Sequence, residues 1–304
     1  MLFWKKKKND ITIQCSICEW KPDGGIYWAC SCRHKWNTFK TKGKCPKCKT
    51  QWKDTYCPGC GKSTPHKDWY KTKEDIEKIE STGNTELRLK KKSLETRLIN
   101  YGIKNYRVAH LPYLDYSNEK FQTTYNAGCR MVILYAIAYS VHDLDERPDI
   151  VQWLKNENIW DKVSPNEKDF FNTKIPDDDL LMDLSWRLEG ALPLAWCFNK
   201  VQELPKLDIN NNQKTIDEFQ KNVPKIGATL TSFLSDLKYR NLDEIHEENL
   251  LNELATTYFR DLIFKDEEDN TKIDRYVSYE RHQTLNWLRQ FMDIKEWDKT
   301  DTST

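Results

Sequence analysis

Eight of the ten cysteines fall in the first 60 residues, as four close pairs: Cys15/Cys18, Cys30/Cys32, Cys45/Cys48 and Cys57/Cys60. No other feature restricts the fold as tightly. A segment this small buries too little apolar surface to hold itself together. Metal supplies the missing cross-links, because a Cys-x-x-Cys turn aims two sulfurs at one ion and two such turns complete a tetrahedron. Three pairs have that spacing, and Cys30-Ser31-Cys32 is one residue tighter. Pro46 and Pro58 inside the third and fourth turns, with Gly61 after the last, suit the knuckles of a zinc ribbon. Eight thiolates therefore predict two structural zinc ions, and two balanced sets of four cysteines suit zinc better than an iron–sulfur cluster.

Two pairing schemes are open. The sequential one places Cys15, Cys18, Cys30 and Cys32 on one ion and Cys45, Cys48, Cys57 and Cys60 on the other. The interleaved one alternates the pairs. Short loops close at small entropy cost, which favours the sequential scheme. His34 is expected as a hydrogen-bonding neighbour and His66 as a surface or packing residue. Cys129 and Cys197 stand alone in apolar sequence and are expected as core thiols.

The basic cluster Lys5 to Lys8 is not followed by an apolar stretch, so no secretory signal is expected. The chain reads as cytoplasmic, where thiols stay reduced and metal is favoured over disulfides. The longest apolar run, Met131 to Tyr139, is too short to span a bilayer. No membrane partner is expected.

With all positions of each ion taken by sulfur, the ions are structural and not catalytic. Function must then come from the module's surface or from the rest of the chain. Residues 1–73 hold 17 basic and five acidic residues, and the remainder holds 31 basic and 42 acidic, against a total near zero. Trp28, Trp36, Trp52, Phe39 and Tyr56 interleave with lysines, among them Lys40, Lys44 and Lys47. Such a mixture can grip phosphates and stack on bases, with these three lysines as nucleic-acid contacts. Equally, the tryptophans pack around the metal and the lysines solubilise a small module that docks a protein.

Beyond the module, residues 74–110 read as a polar helical connector, with a helix from Glu86 to Asn100 that Gly102 ends. Residues 111–304 read as an all-α domain without strand alternation. Helices are expected over Glu119 to Val141, Pro148 to Trp160, Leu180 to Phe198, Lys225 to Tyr239, Glu244 to Phe264 and Val277 to Met292. Ser164-Pro165-Asn166-Glu167 is a helix start with a capping box, and Thr215-Ile216-Asp217-Glu218 repeats its pattern. Pro193 removes a hydrogen bond to the Glu189 carbonyl and predicts a kink there. Glu189 lies in apolar sequence and needs a cation, and Arg281 on the apolar face of the last helix is the expected partner.

Several of these stretches resemble an uncharacterised bacterial family, domain of unknown function 4272. They are Trp186-Arg187-Leu188-Glu189-Gly190-Ala191-Leu192 with Leu194-Ala195-Trp196, Glu280-Arg281-His282 with Leu285-Asn286-Trp287-Leu288, and Trp297-Asp298-Lys299-Thr300-Asp301-Thr302. The resemblance covers about 90–302 and implies a mostly helical domain, with no activity attached. The N-terminal part resembles a double zinc ribbon. The resemblance gathers Trp186, Arg187, Glu189, Arg240, Glu280, Arg281, Trp287, Trp297, Asp298 and Asp301 as a candidate pocket. Glu189, Glu280 and Asp298 are the acid–base candidates within it.

The expectation is a mainly α protein: an all-α helical body carrying a small N-terminal β-ribbon-like module with two zinc ions. Its leading role is a non-enzymatic binding or adaptor protein with a protein partner. Nucleic-acid binding through the basic module and a carboxylate/arginine enzyme in the body are the alternatives.

Overall fold

The computed structural model describes residues 11–17, 19–58, 62–81, 85–103, 120–208 and 213–302. The chain divides into two compact units, Met1–Leu114 and Asp115–Thr304.

Among its described residues the first unit contains three two-stranded antiparallel ribbons. β1 (Thr12–Ile13) pairs with β6 (Tyr70–Lys71), β2 (Trp28–Ala29) with β3 (Lys35–Trp36), and β4 (Asp54–Tyr56) with β5 (Ser63–Pro65). Isolated ribbons of two or three residues are too short to be stable alone. What lies between them is an aromatic core: Trp20 and Trp69 are buried edge to face with centroids 6.0 Å apart, and Phe39 sits 5.0 Å from Trp69 and 5.1 Å from Trp28. Cys15, Cys30, Cys45 and Cys57 belong to the same buried cluster. His66, expected at the surface or in packing, is buried, bridges Thr55 Oγ1 (2.6 Å) and Tyr70 Oη (2.9 Å), and stacks on Phe39.

Two helices follow, α1 (Lys73–Ser81) and α2 (Thr85–Asn100). Gly102 ends α2 as expected. Its φ of +94° places it in the left-handed region, and the amides of Ile103 and Gly102 donate to the carbonyls of Leu98 and Ile99. These two hydrogen bonds satisfy two of the carbonyls that the helix end leaves free.

Every regular element among the described residues of the second unit is a helix, the α-helices being α3 (Thr124–His142), α4 (Arg147–Asn156), α5 (Pro165–Asn172), α6 (Asp178–Ser185), α7 (Arg187–Cys197), α8 (Gln213–Asn222), α9 (Thr231–Ser235), α10 (Leu242–Lys265) and α11 (Arg275–Leu288). The apolar run predicted for its middle makes α3 the centre of the core, packed against α7, α6 and α9. No described helix is long and apolar enough to cross a membrane. α7 packs in turn on α11, and Gly190 allows the approach. A Cβ there would stand 2.8 Å from Thr284 Oγ1 and 3.3 Å from a Leu134 methyl.

The helix start at Ser164 is a full capping box: Glu167 N–H donates to Ser164 Oγ, and Ser164 N–H donates to the Glu167 carboxylate at 2.8 Å. The same carboxylate accepts Arg130 Nη1 at 2.6 and 2.7 Å. Arg130 lies 4.8 Å from the Trp297 ring and 5.7 Å from that of Trp287, so a desolvated cation joins α3, α5, α11 and the C-terminal segment.

Three expectations need correction. Leu180 to Phe198 is two helices, broken at Trp186, so the bend precedes Pro193, which lies inside α7. Asp177 caps α6 by accepting from Leu180 N–H, and local capping thus set a boundary that hydrophobic content concealed. Thr215 is not a cap but a buried residue inside α8. Lys225 to Tyr239 yields only the short α9. Pro224 and the left-handed Gly227 (φ +86°) hold the preceding residues in turns. In the first unit, β3 stops at Trp36 because Asn37 caps a short 3-10 turn by accepting from Phe39 N–H.

Candidate functional site

Cys30, Cys32, Cys45 and Cys48 converge, with their four sulfurs all within 4.8 Å of one another. Two short turns place them. Cys45 N–H donates to Thr50 O (2.9 Å) while Lys49 N–H returns to Cys45 O (3.0 Å). Cys30 N–H donates to His34 O (2.9 Å) while Arg33 N–H returns to Cys30 O (2.8 Å). Lys49 and Arg33 each close their turn in the left-handed region, at φ 65° and 62°. Zinc–sulfur bonds of about 2.3 Å in a tetrahedron imply sulfurs about 3.8 Å apart. Cys30–Cys48 at 3.5 Å and Cys32–Cys45 at 3.7 Å match that spacing, so the donor set fits a tetrahedral thiolate ion. The four can hold one metal ion.

The acidities point the same way. The Cys32 amide, with smaller help from neighbouring groups, brings the Cys30 thiol down to about 6. Thr50 lowers Cys48 through its hydroxyl and amide. The His34 amide pulls Cys32 down, but burial and the sulfurs of Cys48, Cys45 and Cys30 outweigh it and push Cys32 up to about 11. Four adjacent sulfurs cannot all carry charge without a cation among them.

This set corrects the pairing. The second and third cysteine pairs share a site, which neither the sequential nor the interleaved scheme provides. Loop length alone favours the sequential scheme, but in the folded chain the β2–β3 ribbon carries Cys30 and Cys32 toward the Cys45 turn. Of the remaining four, Cys15 and Cys57 are fully buried, while Cys18 and Cys60 lie outside the described residues. Cys15 N–H donates to Trp20 O and Cys57 N–H to Lys62 O, the same five-residue reach as at Cys45. His34 contributes its carbonyl to the Cys30 turn and stacks its ring near Trp36, and it is not among the four ligands.

Lys40, Lys44 and Lys47 are exposed on this unit. Trp28 and Trp36 are buried against the core, so of the interleaved aromatics only Trp52 and Tyr56 are substantially exposed.

In the helical unit the ten gathered residues fall into separate places. Glu189 and Arg281 pair as expected: Arg281 Nη2 and Nε donate to Glu189 Oε2 at 2.9 and 3.2 Å, and Nη1 donates to Pro205 O at 2.7 Å. Two residues nearer the start of α7, Arg187 Nη1 donates to both Glu280 oxygens at 2.7 and 2.8 Å. Burial raises the proton affinity of Glu280 against the pull of Arg187. Trp186 stacks on Tyr276. Trp287 and Trp297 flank Arg130, and Asp298 accepts from Asn166 N–H at the start of α5. Arg240 lies over the Trp196 ring (3.9 Å) and pairs with Glu244. The Asp301 carbonyl accepts from Asn286. Glu280 and Asp298 thus line different cavities, and Glu189 is sealed behind Arg281. Cys129 and Cys197 are buried thiols, with burial pushing Cys129 up to about 11 and Cys197 higher still.

A cavity of about 510 Å3 opens where the α6–α7 junction meets α10 and α11, with Arg187 and Glu280 in its wall. A neighbouring one of about 770 Å3 shares Trp186, Phe259, Ile263, Arg275 and Tyr276 with it. No motif or spacing singles out Phe259, Arg260, Arg275 or Tyr276. They lie on two helices whose facing can be known only once the helices pack.

His282 is buried beside this groove. Asn286 Nδ2 reaches its Nε2 at 2.9 Å, and burial, with Arg260 and Arg289 nearby, brings the imidazole down to about 3. The ring is neutral in the fold, whereas the unfolded chain takes up a proton near pH 6.5. Stability supplied by the neutral ring is therefore complete above pH 6.5 and lost as pH falls toward 3. Between pH 7.5 and 5 the helical unit should lose about 2 kcal/mol that His282→Gln does not lose, read from urea midpoints at the two pH values. Equal losses in both proteins would contradict the assignment.

A family model, Domain of unknown function (DUF4272), matches residues 90–300, and the protein belongs to that family. The match begins within α2 and takes in every helix of the second unit. No curated protein and no solved structure matches the chain.

Proposed function

We propose that the protein is a zinc-stabilised binding protein: its cysteine-rich unit is scaffolding built on two zinc ions, and its helical unit holds a protein partner. The observation that carries the reading is the Cys30, Cys32, Cys45 and Cys48 set, whose four sulfurs lie within 4.8 Å of one another; four thiolates are enough to fill a tetrahedral ion, and a filled ion is structural. The second ion belongs to the outer pairs, Cys15/Cys18 and Cys57/Cys60. The matching turns at Cys15 and Cys57 support it. Binding is favoured over catalysis because Glu189 and Glu280 are each engaged by an arginine and Asp298 by a helix start.

Metal analysis of protein purified without added chelator should find two zinc ions per chain. Cobalt substitution should give the intense absorption of all-sulfur tetrahedral sites. A stoichiometry below one, or a cobalt spectrum with an exchangeable oxygen ligand, would overturn the reading.

A further inference from the structure

We propose that the groove formed by α10, α11 and the α6–α7 junction binds a linear segment of a partner protein carrying bulky apolar side chains next to a run of lysine or arginine. This rests on the binding role above and names the partner's chemistry.

Three independent observations converge. The first is shape. Two open cavities of about 510 and 770 Å3 adjoin along one wall. Each has the size of a complete small-molecule site, so a compact ligand fills one and leaves the other. An extended chain advances about 3.3 Å per residue and runs through both.

The second is the apolar wall. Phe259, Tyr276 and Ile263 border both cavities, and Ile263 is 69% exposed. Phe264, next in sequence, is 80% exposed. Large apolar side chains grouped at a groove mark an interaction surface, whereas single ones do not.

The third is polarity. The larger cavity is lined by Asp266, Glu267, Asp269 and Asp274 against Arg275, and although Asp269 and Asp274 each accept a backbone amide, the four carboxylates leave this end net negative and favourable to a cationic group. The other end holds Arg187 Nε, a buried donor, and Gln283 Oε1, a buried acceptor, and neither atom has a hydrogen-bond partner among the described residues. A peptide unit supplies both an acceptor and a donor, whereas a hydrocarbon or a simple cation supplies neither pair. The occupant therefore has lysines or arginines at the acidic end, an aromatic or aliphatic anchor at the middle, and a main chain at the arginine end.

The test uses the full-length protein and a fluorescein-labelled heptapeptide with three lysines, then tryptophan and leucine, then glycine and serine, read by anisotropy at about 50 mM salt, where charge attraction is weakly screened. Saturable binding is expected. Replacing the lysines by aspartates, or the tryptophan and leucine by serines, should each weaken it about tenfold or more. On the protein, Ile263→Asp and the pair Glu267→Lys with Asp269→Lys should do the same, with unchanged far-UV circular dichroism because all three side chains are exposed. Absence of binding to the intact protein, equal binding of the aspartate or serine peptide, or full affinity in Ile263→Asp would overturn the proposal. Zinc content measured on the same samples separates the two readings. A zinc-loaded protein blind to the peptide refutes only the groove, and a zinc-free protein that binds the peptide refutes only the metal scaffold.

Discussion

Cys45→Ser should unfold the cysteine-rich unit and leave the helical unit standing. Cys45 is fully buried at the centre of the four-sulfur set, and its own backbone closes the turn that carries Cys48. Without a filled site, three ribbons of two or three residues and a handful of aromatic contacts remain. Structural zinc contributes about 10–16 kcal/mol of apparent binding energy in small finger domains, more than such a core supplies by itself. The dispersed indole signals expected from the crossed Trp20 and Trp69 rings should collapse, while helical ellipticity changes little. Cys129→Ser, a core thiol of the other unit, should leave those indole signals in place. Native Trp20 and Trp69 signals in Cys45→Ser would show that metal does not organise the unit.

Arg281→Ala should be the most damaging single change in the helical unit. It strands the Glu189 carboxylate, 4% exposed, and removes the donor to the Pro205 carbonyl. Breaking a buried pair from one side costs about 3–5 kcal/mol, because the remaining charge is left without its counter-ion. For a unit of this size that lowers the midpoint of thermal unfolding by roughly 6–20 °C. Glu189→Leu combined with Arg281→Met removes both charges and should recover most of the loss. A loss below about 1 kcal/mol for Arg281→Ala would mean that water reaches the pair and screens it.

That pair also shows what the sequence could reveal. A glutamate in an apolar helix demands a cation, and Arg281 lies on the apolar face of the last helix, so chemistry joined positions 92 residues apart. The Ser164 capping box was legible for the same reason, since both of its bonds are made within four residues. The metal pairing was not. Loop-closure entropy changes slowly with length, and the choice among pairs was made by ribbons that no spacing rule describes. The break at Trp186 was hidden because α6 and α7 are both apolar, so periodicity ran on across a boundary that Asp177 and local turns define. The groove was half legible. Trp186, Arg187 and Glu280 carried a family resemblance, but Phe259, Ile263 and Tyr276 are ordinary helical residues until α10 meets α11.

The inner position of the Cys30–Cys48 set has a consequence for assembly. Cys32 and Cys45 are 13 residues apart, while β1 and β6 join Thr12 to Lys71. Capture of an ion by the inner sulfurs shortens the path between the two ends of the unit and lowers the cost of bringing them together. An ion held by the inner sulfurs would therefore favour closure of the terminal ribbon, β1 on β6, after the inner set has formed.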